Sequence, residues 1–268
     1  MSPDWWWLAY AVLGLFSGYV AGLLGIGGGV LIVSALTMIF DAQGVSHDHI
    51  LHLALGTSMA TIIFTSIASL RAHHAHGAVI WPVVRDVIPG VIIGTFFGTQ
   101  IAAHAATRGL ALFFGLFILC IAVQMAFSLR PKPGRELPGR LGTTTAGAII
   151  GGISALVAIG GGSLTTSWLS WCNVRIQHAI GTASAMGLPV AIFGTLGYLW
   201  NGWNIEGLPG GSLGYVYLPA LLCLMFSSML TAPLGARMTH RMPVTMLKRI
   251  FAVLLVILAA KMLWSVWH

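Results

Sequence analysis

Two glycine triplets are the residues of this sequence with the clearest chemical potential. They occupy residues 27–29 and 160–162, and each interrupts an apolar run. A break inside a membrane leaves a helix N-terminus with free N–H groups and a partial positive charge. Because non-helical backbone at membrane depth is tolerated only where it is buried or lines a cavity, we predict an anion site without cationic side chains. The alternative is that the glycines only permit tight hairpins.

Hydroxyl groups follow each triplet. Gly56, Thr57 and Ser58 follow the first, and Gly181 and Thr182 follow the second. We predict that both elements open the next helix, where a hydroxyl either caps the helix or donates to a bound oxyanion. Ser163, directly after the second triplet, has the same two interpretations. The predicted substrate-binding residues are Gly27, Gly28, Gly29, Gly56, Thr57, Ser58, Gly160, Gly161, Gly162, Ser163, Gly181 and Thr182.

Histidine clusters give the main alternative, a metal-cation transporter. Histidines this dense can bind zinc or copper. The second half of the chain has no counterpart of either cluster, which favours loop and interface histidines, and we predict neither a metal site nor a cofactor. The clusters are His47, His49 and His52 near Asp41 and Asp48, and His73, His74 and His76.

An intramembrane hydrolase built on Ser163 is the third interpretation. A serine nucleophile needs a histidine within hydrogen-bond reach. His104, His178 and His240 all lie near the ends of predicted spans, so we predict that the protein is not an enzyme.

Composition limits the class of protein. Of the 268 residues, 57% are hydrophobic and 7% are charged, against about 25% charged in a typical soluble domain. Such a chain cannot cover a soluble surface, which excludes a soluble enzyme, a disordered protein and a nucleic-acid binder. We predict an all-α polytopic membrane protein whose surroundings are the lipid bilayer, and we interpret the net charge of +7 as a topology signal.

Apolar segments of spanning length follow one another along the chain. Two of them, 28–40 and 163–172, are too short for a full crossing of about 20 residues, and each follows a glycine triplet. A polar stretch rich in Pro and charge, 130–141, reads as a cytoplasmic linker. The predicted segments are 5–24, 28–40, 54–70, 82–103, 108–128, 142–158, 163–172, 178–199, 215–236 and 245–266.

The two halves of the chain resemble each other. The triplets and the Gly-Thr elements match in order, Pro89 is paired with Pro219 at the opening of a span, and Phe114 and Met125 are paired with Phe251 and Met262. Internal repeats are common in transporters. We predict a first repeat over 1–129 and a second over 142–268, each a glycine-broken helical hairpin plus three transmembrane helices.

Basic residues predict how the halves are oriented. If the linker is cytoplasmic, all 13 Lys and Arg side chains except Arg108 and Lys261 fall on the cytoplasmic side, as the positive-inside rule requires. The same assignment places the loop at 41–52 outside and its counterpart near 173–178 inside, so the repeats have inverted topology. The prediction holds whether the broken hairpins are re-entrant or fully crossing.

Acidic residues bear on the direction of transport. All six lie in loops or at span edges, whereas ion-coupled pumps usually carry an intramembrane carboxylate. With the inside negative, export of one negative charge is downhill by roughly 2.3 kcal/mol per 100 mV. The sequence therefore favours export or exchange of an anion over coupled uptake.

Glycines spaced four residues apart predict close helix packing. They are Gly14, Gly18 and Gly22 in the first span, and Gly90, Gly94 and Gly98 in the fourth. These faces can pack against the other half or against a second copy of the chain, which leaves a homodimer open.

The combination of inverted halves, Gly-Gly-Gly breaks and Ala-x-Gly-Thr elements resembles the TauE/SafE family of sulfite exporters, over about residues 10–265. The resemblance implies export of sulfite or a small sulfonate such as sulfoacetate from the bacterial inner membrane, through alternating access. It places the family's motifs on the glycine triplets and on the Gly-Thr elements. The sequence departs from the motif at Ala183, where the first half has Ser58.

Overall fold

The computed structural model describes residues 4–24, 28–127, 134–238 and 244–267. Over these residues the chain forms ten helices and one short antiparallel hairpin, which pairs Ser212–Leu213 with Val216–Tyr217. The predicted all-α fold class is confirmed, and the hairpin is an unpredicted addition. The helices are α1 Asp4–Leu24, α2 Gly29–Ala42, α3 His47–Ala75, α4 Trp81–His104, α5 Thr107–Ala126, α6 Arg140–Val157, α7 Gly162–Trp171, α8 Ile176–Gly202, α9 Leu218–Met238 and α10 Val244–Trp267.

Six of these helices are long and apolar enough to cross a membrane. Two shorter apolar helical segments, Gly29–Ala42 and Phe251–Trp264, accompany them. The short segments predicted after the triplets are α2 and α7. The chain is therefore a multi-pass membrane protein. The six long apolar segments are His47–Ala75, Trp81–His104, Thr107–Ala126, Arg140–Val157, Ile176–Gly202 and Leu218–Gly235.

Both triplets break the helical run at a left-handed glycine. Gly28 precedes α2 with a φ of 63°, and Gly161 precedes α7 with a φ of 69°. Glycine adopts this conformation without the steric penalty that a Cβ brings. Neither helix start has a side-chain cap, so the first N–H groups of α2 and α7 are left for another partner.

The prediction that the Gly-Thr elements open their helices is wrong. The helix α3 already begins at His47 and α8 at Ile176, so Thr57 and Thr182 lie inside them and cap nothing. Hydropathy detects the apolar part of a helix, whereas these helices start in a polar turn.

The repeat alignment also needs one correction. Pro89 lies inside α4, and the proline at the start of that helix is Pro82. Pro82 is the second residue of α4, as Pro219 is of α9. The two prolines share the helix position where a missing N–H costs nothing.

The helix contacts are the same when each helix is replaced by its counterpart in the other half. The helix α1 packs on α9 as α6 packs on α4, while α3 packs on α8 and α5 on α10. A Cβ on Gly14 would lie 3.0 Å from the Cα of Leu224, and a Cβ on Gly147 would lie 2.5 Å from the carbonyl oxygen of Val87. Leu224 and Val87 are each the seventh residue of their helix. Duplication predicts this pattern, while the inverted orientation stays a prediction from the basic residues.

Candidate functional site

The two glycine breaks meet in the interior. A Cβ on Gly29 would overlap the carbonyl oxygen of Ala158, which precedes the second triplet. The side chain of Ile62 in α3 packs on both breaks, 2.8 Å from the Cβ position of Gly29 and 2.7 Å from that of Gly160. The structure therefore brings the two predicted elements together, with α3 against both.

A cavity of about 190 Å³ lies beside the second break, and we term it the inner cavity. Gly160 and Gly162 form part of its wall, and α1, α3, α8 and α9 contribute the rest. No carboxylate, lysine or arginine is among the described residues that line it, so the polar wall consists of backbone, hydroxyls and one imidazole. The polar side chains are those of Thr65, Ser66, Ser69, His73 and Ser184.

The two halves differ at a pair of residues that line the inner cavity. Ile62 lies five residues after Thr57, and its counterpart Gly187 lies five residues after Thr182. A Cβ on Gly187 would lie 2.8 Å from the carbonyl oxygen of Gly160 and 2.9 Å from Oγ of Ser66. At this position the first half has an isoleucine side chain, whereas the second half has a glycine, which leaves the corresponding space open.

The predicted triplet residues have different positions. All five described glycines of the triplets are buried, and of these Gly160 and Gly162 line the inner cavity. Gly27 lies outside the described residues.

The serines of the predicted site lie close to the breaks, Ser58 buried and Ser163 half-buried. Ser58 donates a hydrogen bond from Oγ to the carbonyl oxygen of Gly29 at 3.2 Å. Oγ of Ser163 has no hydrogen-bond partner within the part of the chain that the structure describes, so no Ser163–histidine pair is present there to support the hydrolase interpretation.

The Gly-Thr elements contact the segments that lead into α9 and α4. Oγ1 of Thr57 accepts the N–H of Tyr217 at 3.0 Å, and Oγ1 of Thr182 accepts the N–H of Ile80 at 3.0 Å. Neither threonine lines the inner cavity, and both are 0% exposed. These hydroxyls fix the entry of a neighbouring helix.

The glycines of the same elements permit those contacts. A Cβ on Gly56 would overlap the carbonyl oxygen of Tyr215, and a Cβ on Gly181 would lie 2.5 Å from that of Ala78. The close approach of backbone to backbone explains why glycine precedes threonine at both positions.

Removing either threonine hydroxyl is expected to destabilise the protein. Thr57→Val or Thr182→Val leaves a backbone N–H without its acceptor, which costs about 1–3 kcal/mol. Thr57→Ser and Thr182→Ser keep the acceptor and serve as matched controls. Thermal unfolding of the purified variants measures the effect. A valine variant with the same unfolding temperature as its serine control would contradict the structural role of the hydroxyl.

Sequence reasoning missed the polar stripe on α3. Ser66, Ser69 and His73 follow at spacings of three and four residues, which puts them on one helix face, and all of them line the inner cavity. Polar residues on one face of an apolar helix can be recognised in a sequence, but the site prediction was based on the glycine triplets and did not include them.

The histidines have separate surroundings. Nδ1 of His47 lies 3.7 Å from a carboxylate oxygen of Asp41. Buried His52 places Nε2 2.8 Å from the carbonyl oxygen of Ala102 and stacks on Tyr215 at 5.1 Å. Among the described residues, no group of three or more His, Cys, Asp or Glu side chains is arranged to hold a metal ion. The metal-cation interpretation therefore has no geometric support in them.

A bundle of apolar helices, two broken helices that meet inside it and a small cavity beside the breaks are the features of a multi-pass membrane transporter. The comparison with known sequences agrees, since the profile of the family described as "Sulfite exporter TauE/SafE" matches residues 10–262. The chain belongs to the TauE/SafE family.

Several relatives carry the name of a membrane transporter. A "Probable membrane transporter protein" of Haemophilus influenzae is 32% identical over 94% of this chain and 96% of its own length. The protein YdhB of Bacillus subtilis, named in the same way, is 27% identical over 86% of this chain and 89% of its own length. No solved structure shows significant similarity to the chain.

Proposed function

We propose that the protein exports a small sulfur-containing anion, sulfite or a small sulfonate such as sulfoacetate, across the bacterial inner membrane by alternating access. The observation that carries the proposal is the inner cavity at the start of α7, whose wall holds glycine backbone and hydroxyls and, among its described residues, no carboxylate. The name of the family supports sulfite as the substrate.

The start of α7 supplies positive potential without a cationic side chain. An α-helix carries roughly half a positive charge at its N-terminus, on N–H groups that have no intrahelical partner. Gly162, the first residue of α7, lines the inner cavity, and the preceding Gly161 provides no side-chain cap. An oxyanion in the cavity therefore faces backbone donors in a water-poor interior, where such interactions are strong.

Hydroxyl groups on α3 complete the donor set. Oγ of Ser66 lies 4.0 Å from the Cβ position of Gly160, close to the break. Ser69 also lines the cavity, whereas Ser184 on α8 lines it with a hydroxyl that already donates to the carbonyl oxygen of Gly181 at 2.7 Å. The volume of about 190 Å³ is below the roughly 300–1,000 Å³ of sites for drug-sized ligands, which favours a small solute.

The position of the inner cavity favours a starting state open to the cytoplasm. The α3 residues that line it run from Ile62 to His73, near the end of α3 at Ala75. The predicted topology places this end of the helix, with Arg71, on the cytoplasmic side. Rocking of one repeat against the other would then expose the anion to the opposite side. The membrane potential favours outward movement of a negative charge.

Transport by purified protein in liposomes tests the proposal. Wild type is expected to move radiolabelled sulfite or sulfoacetate. Ser66→Ala raises the half-saturating concentration roughly tenfold, because one hydrogen bond to a charged group is lost. Thr145→Ala removes an exposed hydroxyl on α6 and should leave transport unchanged. If neither anion moves and a divalent metal does, the anion proposal is wrong and the metal-cation alternative holds.

A further inference from the structure

A second cavity lies at the opposite end of α3. It encloses about 560 Å³ between α2, α3, α5 and α10, and we term it the outer cavity. Ile50 and Leu51 of α3 line it, whereas the inner cavity begins at Ile62. At 1.5 Å per residue, the two cavities are about 17 Å apart along the helix.

Two cations line the outer cavity, Arg108 and Lys261. They are also the two basic residues that the predicted topology places outside. Within the described residues, Arg140 forms an ion pair with Asp86, and Nδ1 of His47 lies 3.7 Å from a carboxylate oxygen of Asp41. Neither Arg108 nor Lys261 thus has a carboxylate partner in that part of the chain.

The internal repeat shows what is unusual about Lys261. Its counterpart in the first half is Gln124, since each directly precedes a methionine of the matched pair Met125 and Met262. Nε2 of Gln124 donates to Oγ of Ser167 at 3.3 Å. The counterpart of Ser167 is Ser34, six residues after the left-handed glycine in both halves, and Ser34 lines the outer cavity with Lys261. A neutral amide in one half is therefore an ammonium group in the other.

Lys261 lies farther from the end of its helix than the two carboxylates of the outer cavity lie from the ends of theirs. Lys261 lies six residues before the end of α10 and Ser34 eight residues before the end of α2, about 9 and 12 Å from those ends. The carboxylates that line the cavity, Asp41 and Asp48, lie at the end of α2 and the start of α3. Arg108 likewise lies at a helix start, so Lys261 is the charged residue placed farthest along its helix from an end.

Arg108 completes the positive side of the outer cavity. It is the second residue of α5, where the helix N-terminus adds partial positive charge. Oγ1 of the preceding Thr107 donates to the carbonyl oxygen of Asp48 at 2.7 Å, which fixes the start of α5 against α3.

We propose that the outer cavity is a second binding site, specific for an oxyanion, in which Lys261 and Arg108 contact the oxyanion and Ser34 positions the ammonium group. Charge-assisted hydrogen bonds to two cations give such a site its strength. The oxyanion is either a dissolved anion or the phosphate of a lipid headgroup. Only its use as an exit site for exported anion rests on the proposed function, whereas the binding does not.

Protection of Lys261 from an amine-reactive reagent tests the site directly. The full-length protein is labelled in a maltoside detergent, which has no phosphate, and each lysine is quantified by peptide mass spectrometry. Sulfite or inorganic phosphate should slow the labelling of Lys261 saturably, while Lys132 and Lys248 serve as internal references. Arg108→Gln should weaken the protection roughly tenfold, as for one lost charge-assisted hydrogen bond. Arg85→Gln, an exposed arginine of α4 that lines neither cavity, is the matched control.

A lipid arm separates the two sources of oxyanion. The labelling is repeated in phosphatidylglycerol nanodiscs without added anion. Protection there, weakened by Arg108→Gln, assigns the site to a headgroup phosphate, and protection only by dissolved anion assigns it to a solute. Equal protection of the three lysines, or none at Lys261 in either arm, overturns the proposal. Sulfite transport of Lys261→Gln is measured separately, so failure of the site and failure of the transport proposal are distinguishable.

Discussion

Replacement of Gly187 by isoleucine is expected to abolish anion transport in a protein that still folds. The substitution gives the second half the side chain that the first half carries at Ile62. A Cβ alone would lie 2.8 Å from the carbonyl oxygen of Gly160 and 2.9 Å from Oγ of Ser66, and the remaining atoms of isoleucine would occupy the inner cavity. Overpacking costs about 1–3 kcal/mol, and the space for the anion is lost.

A graded series makes this experiment decisive. Gly187→Ala, Gly187→Val and Gly187→Ile are reconstituted at equal protein density, and initial rates of sulfite transport are compared. Alanine should lower affinity roughly tenfold, for a cost near 1.4 kcal/mol, and isoleucine should leave no transport. Gly210→Ile, at a glycine with no atom within 4 Å of its Cβ position, is the matched control. If a folded, monodisperse Gly187→Ile protein transports sulfite at the wild-type rate, the anion does not pass through the inner cavity.

The helices could be predicted from the sequence because the membrane makes the hydrophobic signal strong. Ten apolar segments correspond to the ten helices of the described chain. The helix starts could not be predicted in the same way, since α3 begins with His47 and Asp48 and α8 has Gln177 in its first turn. Polar first turns look like loops when hydropathy is the only guide.

The candidate site was only partly predictable. The glycine triplets were found because three glycines in an apolar run have few structural uses, and the structure brings the breaks together. The role of Thr57 could not be predicted from the sequence, because its partner Tyr217 lies 160 residues away. Thr182 and Ile80 are separated by 102 residues. Such pairings become visible only when the helices are packed.

Differences between the duplicated halves carry the functional argument. Ile62 is the repeat counterpart of Gly187, Ser58 is the counterpart of Ala183, and Gln124 is the counterpart of Lys261. The first two differences concern the inner cavity and the third the outer cavity. Where a repeat is purely architectural, as at Thr57 and Thr182, the counterparts make the same contact. At these three diverged pairs the residue of the second half, Gly187, Ala183 or Lys261, lines a cavity.

Replacement of Gly94 by alanine is expected to destabilise the pair formed by α4 and α6. A Cβ there would overlap the carbonyl oxygen of Ala148 and lie 2.8 Å from the Cα of that residue. These are backbone atoms of a helix, so the clash is relieved only by moving α6 away from α4. Overpacking of this kind costs about 1–3 kcal/mol, and the separation also removes contacts along both helices.

Gly152→Ala provides the matched control because it lies in the same interface with the opposite expected sign. Its Cβ would lie 3.4 Å from the carbonyl oxygen of Gly94, an ordinary contact. Alanine favours a helix over glycine by about 1 kcal/mol, so Gly152→Ala should keep or raise the unfolding temperature while Gly94→Ala lowers it. Both variants have the same change in composition and helix propensity. A difference in thermal unfolding between them therefore reports the distance between α4 and α6, and equal stability would mean that these helices do not approach as closely as the structure shows.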